Sequence, residues 1–213
     1  MHRRKFIQLS ALTAVAAENG DPVPNYRVST SYRSKGTPNR YPGRVLQSSI
    51  EPTAQSVEKT LDAQMKALTG TKDVRDAWRV FIEPQDVVGI KLNCSGAPKI
   101  MSHPLVVGAI TKRLVDVGVK PKNIYLYERF ESQVVTVPYQ DYVPQGVQIH
   151  TMEGGDRRRR DLKEYDPATF VEVDFFGEEE TRSFMSRLVT QRLTKIINVP
   201  NMKDHGASGV TGC

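Results

Sequence analysis

Apolar residues follow two different rhythms along this chain, and the change of rhythm outlines its elements. Val57, Leu61, Met65 and Leu68 recur at steps of three and four and stop at Gly70, the pattern of an amphipathic helix with its terminator. A second short helix is predicted over 74–81, with Trp78 on its buried side and Glu83-Pro84 ending it. In "DVVGIKLNCSG" the rhythm tightens. Val87, Val88, Ile90 and Leu92 form a compact apolar run suited to a buried strand. Val107, Ile110, Leu114 and Val117 then return to helical spacing, closing at Gly118, with Ser102 as the expected cap and Pro104 in the first turn. "NIYLYER" and "GVQIHTM" read as further strands, with a short helix or loop over 133–142 between them. "FVEVDF" alternates apolar and acidic residues as a half-buried strand does, and a short helix over 188–193 leads into the strand "KIINVP". Strands alternating with helices predict an α/β fold with a largely parallel sheet flanked by helices.

That pattern begins only near residue 44. Residues 18–43 are rich in Pro, Gly, Ser, Thr and Asn with no apolar period, which predicts a linker or surface-hugging arm. Residues 1–17 carry a basic start, a short apolar stretch and small residues before a polar break, the order of an export signal. Arg3-Arg4-Lys5-Phe6-Ile7 resembles the twin-arginine motif, although His2 and Gln8 depart from its usual residues. This implies the twin-arginine export machinery as a partner and a periplasmic location; the competing reading is an amphipathic N-terminal helix. The domain organisation expected is therefore a signal at 1–17, an arm at 18–43 and an α/β domain at 44–213.

Composition narrows the classes. Hydrophobic residues make up 38% and charged residues 25%, as in a chain with a real core. The formal charge is +6, and Arg3, Arg4 and Lys5 supply half of it, so the remainder is too weakly basic to suggest nucleic acid. No apolar run approaches the roughly 20 residues of a membrane-spanning helix. Two cysteines, Cys94 and Cys213, make neither a disulfide framework nor a C-x-x-C pair. Arg157 to Arg160 lie in "EGGDRRRRDLKEYDPATF", read as an exposed loop whose basic run is a solvated face, with a docking patch for an acidic partner as the lesser reading.

Ligands in open α/β sheets gather beyond the carboxyl ends of the strands. The strand "VVGIKLN" ends in Lys91 and Asn93, "NIYLYER" in Glu128 and Arg129, and "IINVPNMKDH" in Asn201, Lys203, Asp204 and His205. If those strands are neighbours, these groups share one crevice. Lys91 within an apolar strand needs a partner, and Glu128 is the obvious one, in a pair that is either structural or turned to a ligand. Lys203 and His205, two apart, point the same way on an extended segment. "GASGVTGC" offers small residues, with Gly209 and Thr211 among them, that let backbone N–H groups approach an anion. It is not a P-loop or a dinucleotide fingerprint, and no G-x-S-x-G or H-E-x-x-H occurs.

"VVGIKLNCSG", "IYLYERF" and above all "KIINVPNMKDHGASGVTGC" resemble the domain-of-unknown-function 362 family, described as uncharacterised iron–sulfur-centre proteins. The resemblance spans residues 43–213, and its matching polar positions are Lys91, Asn93, Glu128, Lys203 and His205. Family members continue past the glycine turn with further α/β structure, which implies that the domain here is incomplete after Cys213. It also implies an iron–sulfur cluster or metal ion, with ligands partly from further sequence and Cys94 and Cys213 as the candidates within this one. The function expected is an exported redox or metal-dependent enzyme on a small anionic substrate. Lys91, Asn93, Gly209 and Thr211 would bind the substrate, with Lys203 beside His205 and Glu128, one of which moves a proton. The alternative is a non-catalytic envelope module that binds an anionic ligand or a protein.

Overall fold

A computed structural model describes residues 26–28, 41, 43–153, 162–173, 182–206 and 209–210. The expected export signal at 1–17, the run Arg157–Arg160, Thr211 and Cys213 lie outside these residues.

The first helix, α1 (Ala54–Thr69), forms where its period predicts. Thr53 and Ser56 exchange side-chain and backbone hydrogen bonds at its start, and Gly70, at φ 75°, turns its N–H back to Lys66 O. Helix α2 (Val74–Arg79) follows, capped by Asp73 and anchored by the buried Trp78. Strand β2 (Val88–Lys91) enters helix α3 (Pro104–Asp116), and β3 (Ile124–Phe130) enters a short helix α4 (Glu131–Val134) before β4 (Gln148–Glu153). The hairpin β5 (Tyr165–Val173) and β6 (Arg182–Ser186) follows, and a π-helical turn, Leu188–Arg192, returns the chain to β7 (Lys195–Asn198). Two short strands, β8 (Asp204–His205) and β9 (Gly209–Val210), pair antiparallel.

Strands β4, β3, β2 and β7, in that order, make a wholly parallel sheet, so the fold is α/β. One face carries Val88, Ile90, Leu92, Ile124 and Leu126 against Val107, Ile110 and Leu114 of α3. The other carries Tyr127 and Met152 against Leu188, Val189 and Leu193. Burial on both faces is what a parallel sheet requires, and it explains the near-continuous apolar character of β2. From β2 the chain moves outward through β3 to β4, whereas β7 joins the opposite side of β2. The loops after β2 and β7 therefore diverge, and a crevice opens between them.

Two local expectations are corrected, and one further strand is seen. Helix α3 is capped by His103, whose Nδ1 accepts from Leu105 N at 3.2 Å, and not by Ser102, which is buried one residue earlier. Residues Tyr165 to Thr169, expected in a loop, begin β5 instead, because they pair with Met185 and Ser186 of a strand that local sequence did not mark. Within the expected arm, the strand β1 (Tyr26–Val28) pairs antiparallel with β5.

Gly108 on α3 shows packing overriding propensity. An alanine there ordinarily strengthens a helix by about 1 kcal/mol. Here an added Cβ would lie 2.5 Å from the backbone oxygen of Tyr142. Gly108→Ala is therefore expected to destabilise, by roughly 1–3 kcal/mol in urea unfolding; a gain in stability would contradict this packing.

Candidate functional site

The crevice is an open cleft of about 400 Å³ at the carboxyl ends of β2, β3 and β7. Lys91, Asn93 and Ser95 come from β2 and its loop, Glu128, Arg129 and Phe130 from β3, Gln133 from α4, and Asn198, Pro200 and His205 from β7 and beyond. Strand alternation and register deliver these groups. Lys91 is level with Tyr127 on one side and Asn198 on the other, so the polar strand ends lie side by side.

Glu128 is the most heavily bonded group. Its Oε1 accepts from Lys91 Nζ at 2.9 Å and from Arg129 N at 2.7 Å, and its Oε2 accepts from Cys94 N at 3.3 Å. Lys91 also donates to Leu92 O. The neighbouring pair is built alike: Arg129 Nε donates to Glu153 Oε1 at 2.7 Å, and Tyr165 OH donates to the same oxygen at 2.8 Å. The Arg129 guanidinium lies over the Phe130 ring, 4.8 Å from its centroid. Burial works to lower the Arg129 pKa, but the bond to Glu153 and its charge outweigh it, and the net direction is upward. Burial and the Glu153 bond push Tyr165 up to about 12.

Ser102 ties the two diverging loops together. Its Oγ accepts from Asn93 N at 2.7 Å and donates to Val199 O, and its own N–H donates to Asn93 O at 2.9 Å. Tyr139 OH donates to Ser102 O at 2.7 Å. Further out, Asn201 donates to Met101 O at 2.8 Å, and Lys203 Nζ donates to Ser95 Oγ.

The structure thus brings Lys91, Asn93, Glu128 and His205 onto one cleft, with Lys203 bonded to its rim at Ser95. Gly209 stands opposite His205 in the β8–β9 pair, with φ 82°, and is exposed. Ser95, Gln133 and the bridging Ser102 were not chosen from sequence; Arg129 was read as a strand end only.

Cys94 does not reach the cleft lining. It is buried behind it, with Sγ 3.5 Å from Tyr139 OH. Tyr139 has one hydroxyl proton and gives it to Ser102 O, so the thiol of Cys94 is the donor in that contact. Burial pushes the thiol pKa up, reinforced by Glu128 and opposed by Tyr139, Lys91 and Lys203. A protonated, interior thiol is a poor metal ligand. An iron–sulfur cluster takes about four cysteine thiolates, against two cysteines in the whole sequence, so these residues do not fit one. Among the described residues, no three of His, Cys, Asp and Glu gather as a metal site. Nor, among those residues, is any helix long and apolar enough to cross a membrane. No protein-family model, curated protein or solved structure matches the chain.

Proposed function

We propose that the protein binds a small anionic molecule in the β2–β3–β7 cleft and that His205 exchanges a proton with it. One observation carries the reading. In both ion pairs at the cleft the carboxylate is the buried partner and the cation the exposed one. The Lys91 and Glu128 side chains are 37% and 10% exposed, and those of Arg129 and Glu153 are 52% and 7%. The face that a ligand meets is therefore cationic, while the compensating charge lies behind it. The Asn93 and Gln133 carboxamides add neutral donors. Glu128, already accepting three hydrogen bonds, holds the site in shape, which leaves His205 as the proton carrier.

Thermal unfolding with inorganic phosphate or small carboxylates, at fixed ionic strength, tests the binding. An anion at 100 times its Kd stabilises a protein by about 2.7 kcal/mol, and Lys91→Met is expected to abolish most of that gain. Equal stabilisation by chloride would remove the reading. His205→Gln separates an enzyme from a non-catalytic binding module in the same cleft. An enzyme retains binding and loses turnover; in the second reading, favoured by the exposure of His205 on a two-residue strand, there is no turnover to lose.

The location outside the cytoplasm rests on the N-terminal sequence. Replacing Arg3 and Arg4 together by lysine is expected to hold a tagged full-length chain in the cytoplasmic fraction. Unchanged fractionation of that variant would favour the amphipathic-helix reading of residues 1–17.

A further inference from the structure

Arg129 is a cleft cation whose orientation is fixed from two sides. Its Nε donates to Glu153 Oε1 at 2.7 Å, and its guanidinium carbon lies 4.8 Å from the Phe130 ring centroid. Glu153 is held in turn: its side chain is 7% exposed, and Tyr165 OH donates to the same oxygen at 2.8 Å. With Nε taken, the two Nη groups make no hydrogen bond among the described residues, yet the side chain is 52% exposed and lines the cleft. Lys91 differs on both counts. Its ammonium is a point charge that already donates to Glu128 and to Leu92 O. The paired Nη–H groups of a guanidinium share one plane and match the two oxygens of a carboxylate. The charge balance points the same way. Lys91 with Glu128 and Arg129 with Glu153 sum to zero formal charge. A single negative charge therefore meets less repulsion from the two buried carboxylates than a dianion does.

Resting on the anion-site reading above, we infer that the ligand is a small organic monocarboxylate whose carboxylate sits on the two Nη groups of Arg129. Its organic part occupies the cleft, where Leu92, Phe130 and Pro200 offer apolar surface beside the Asn93 and Gln133 carboxamides. Tyr165 is a positioning residue for this contact. It touches no ligand; by donating to Glu153 it fixes the carboxylate that orients Arg129, which couples the β5–β6 hairpin to the cleft.

Calorimetric titration of the full 213-residue chain with propionate, inorganic phosphate and propionamide, at neutral pH and constant ionic strength, tests this. Propionate is expected to bind more tightly than phosphate, and propionamide far more weakly than either. Arg129→Lys keeps the charge but not the fork. It should weaken propionate about 10-fold, the cost of one charge-assisted contact, and phosphate much less. Tyr165→Phe should lower the propionate-to-phosphate preference by a smaller factor, a change that a purely structural role would not produce. Circular dichroism would check that each variant folds, and Arg129→Gln serves if Arg129→Lys does not. Phosphate binding as tightly as propionate, or equal losses for both anions in Arg129→Lys, would overturn the carboxylate assignment and leave the anion site standing. An unchanged preference in Tyr165→Phe would remove Tyr165 from it. Binding of neither anion, or propionamide binding as tightly as propionate, would overturn both readings.

Discussion

Glu128→Gln is expected to cost about 2–4 kcal/mol of folding stability, a large effect for a change that preserves shape. Both carboxylate oxygens are occupied by donors: Lys91 Nζ and Arg129 N at one, Cys94 N at the other. A carboxamide must turn its –NH₂ toward one of these sets, so at least one donor faces another donor whichever rotamer forms. Hydrogen bonds to a charged acceptor contribute about 1.5–3 kcal/mol each, and a buried ion pair broken from one side loses about 3–5. Lys91 is 37% exposed, so water rescues part of that loss, which sets the lower range. Urea unfolding of Glu128→Gln, Lys91→Met and the double variant measures it. The double variant should recover part of the single loss, because the new carboxamide then has no ammonium facing it. Strict additivity, or a Glu128→Gln cost below about 0.5 kcal/mol, the scale of an ordinary surface change, would show that the pair does not hold the cleft floor.

The parts of this fold that could be read from sequence are those set by neighbours a few residues away. The period of α1 and its Gly70 stop, the buried Trp78 of α2 and the apolar runs of β2 and β3 are local signals, and they agree with the packing. The convergence of Lys91, Asn93, Glu128 and His205 followed from one global rule about parallel sheets, which needed only that their strands be neighbours. What escaped depends on partners remote in sequence. The exposed face of β6 gives "RSFMS" no clean alternation, and β6 exists because β5 pairs with it. Ser102 has the composition of a helix cap and sits next to one. Only the arrival of Val199, 97 residues later, makes it a bridge. Arg129 was visible as a strand end, but its orientation is set by Glu153 on β4 and Tyr165 on β5. No local window contains that triad.

Ser102→Ala should be among the most damaging single-atom deletions in the cleft scaffold, at about 2–4 kcal/mol. Ser102 is 1% exposed, and its hydroxyl serves two main-chain groups at once: the Asn93 N–H and the Val199 carbonyl. Without Oγ the half-buried Asn93 N–H and the carbonyl of the buried Val199 both lose that partner, and a buried group so stranded costs about 1–3 kcal/mol. The loss has a direction as well as a size. Asn93 leads out of β2 and Val199 out of β7, so the hydroxyl pins the two strand ends where the chain order reverses. Anion affinity should therefore fall in Ser102→Ala even at temperatures where the protein remains folded. Tyr139→Phe provides the comparison, since it removes the hydrogen bond to the Ser102 carbonyl and the acceptor of the Cys94 thiol while leaving the β2–β7 bridge intact. It should lower stability while changing anion affinity less than Ser102→Ala does. If the two variants weaken anion binding equally, the hydroxyl bridge has no special part in shaping the cleft. If Ser102→Ala unfolds in urea like the parent chain, the bridge itself is absent in solution.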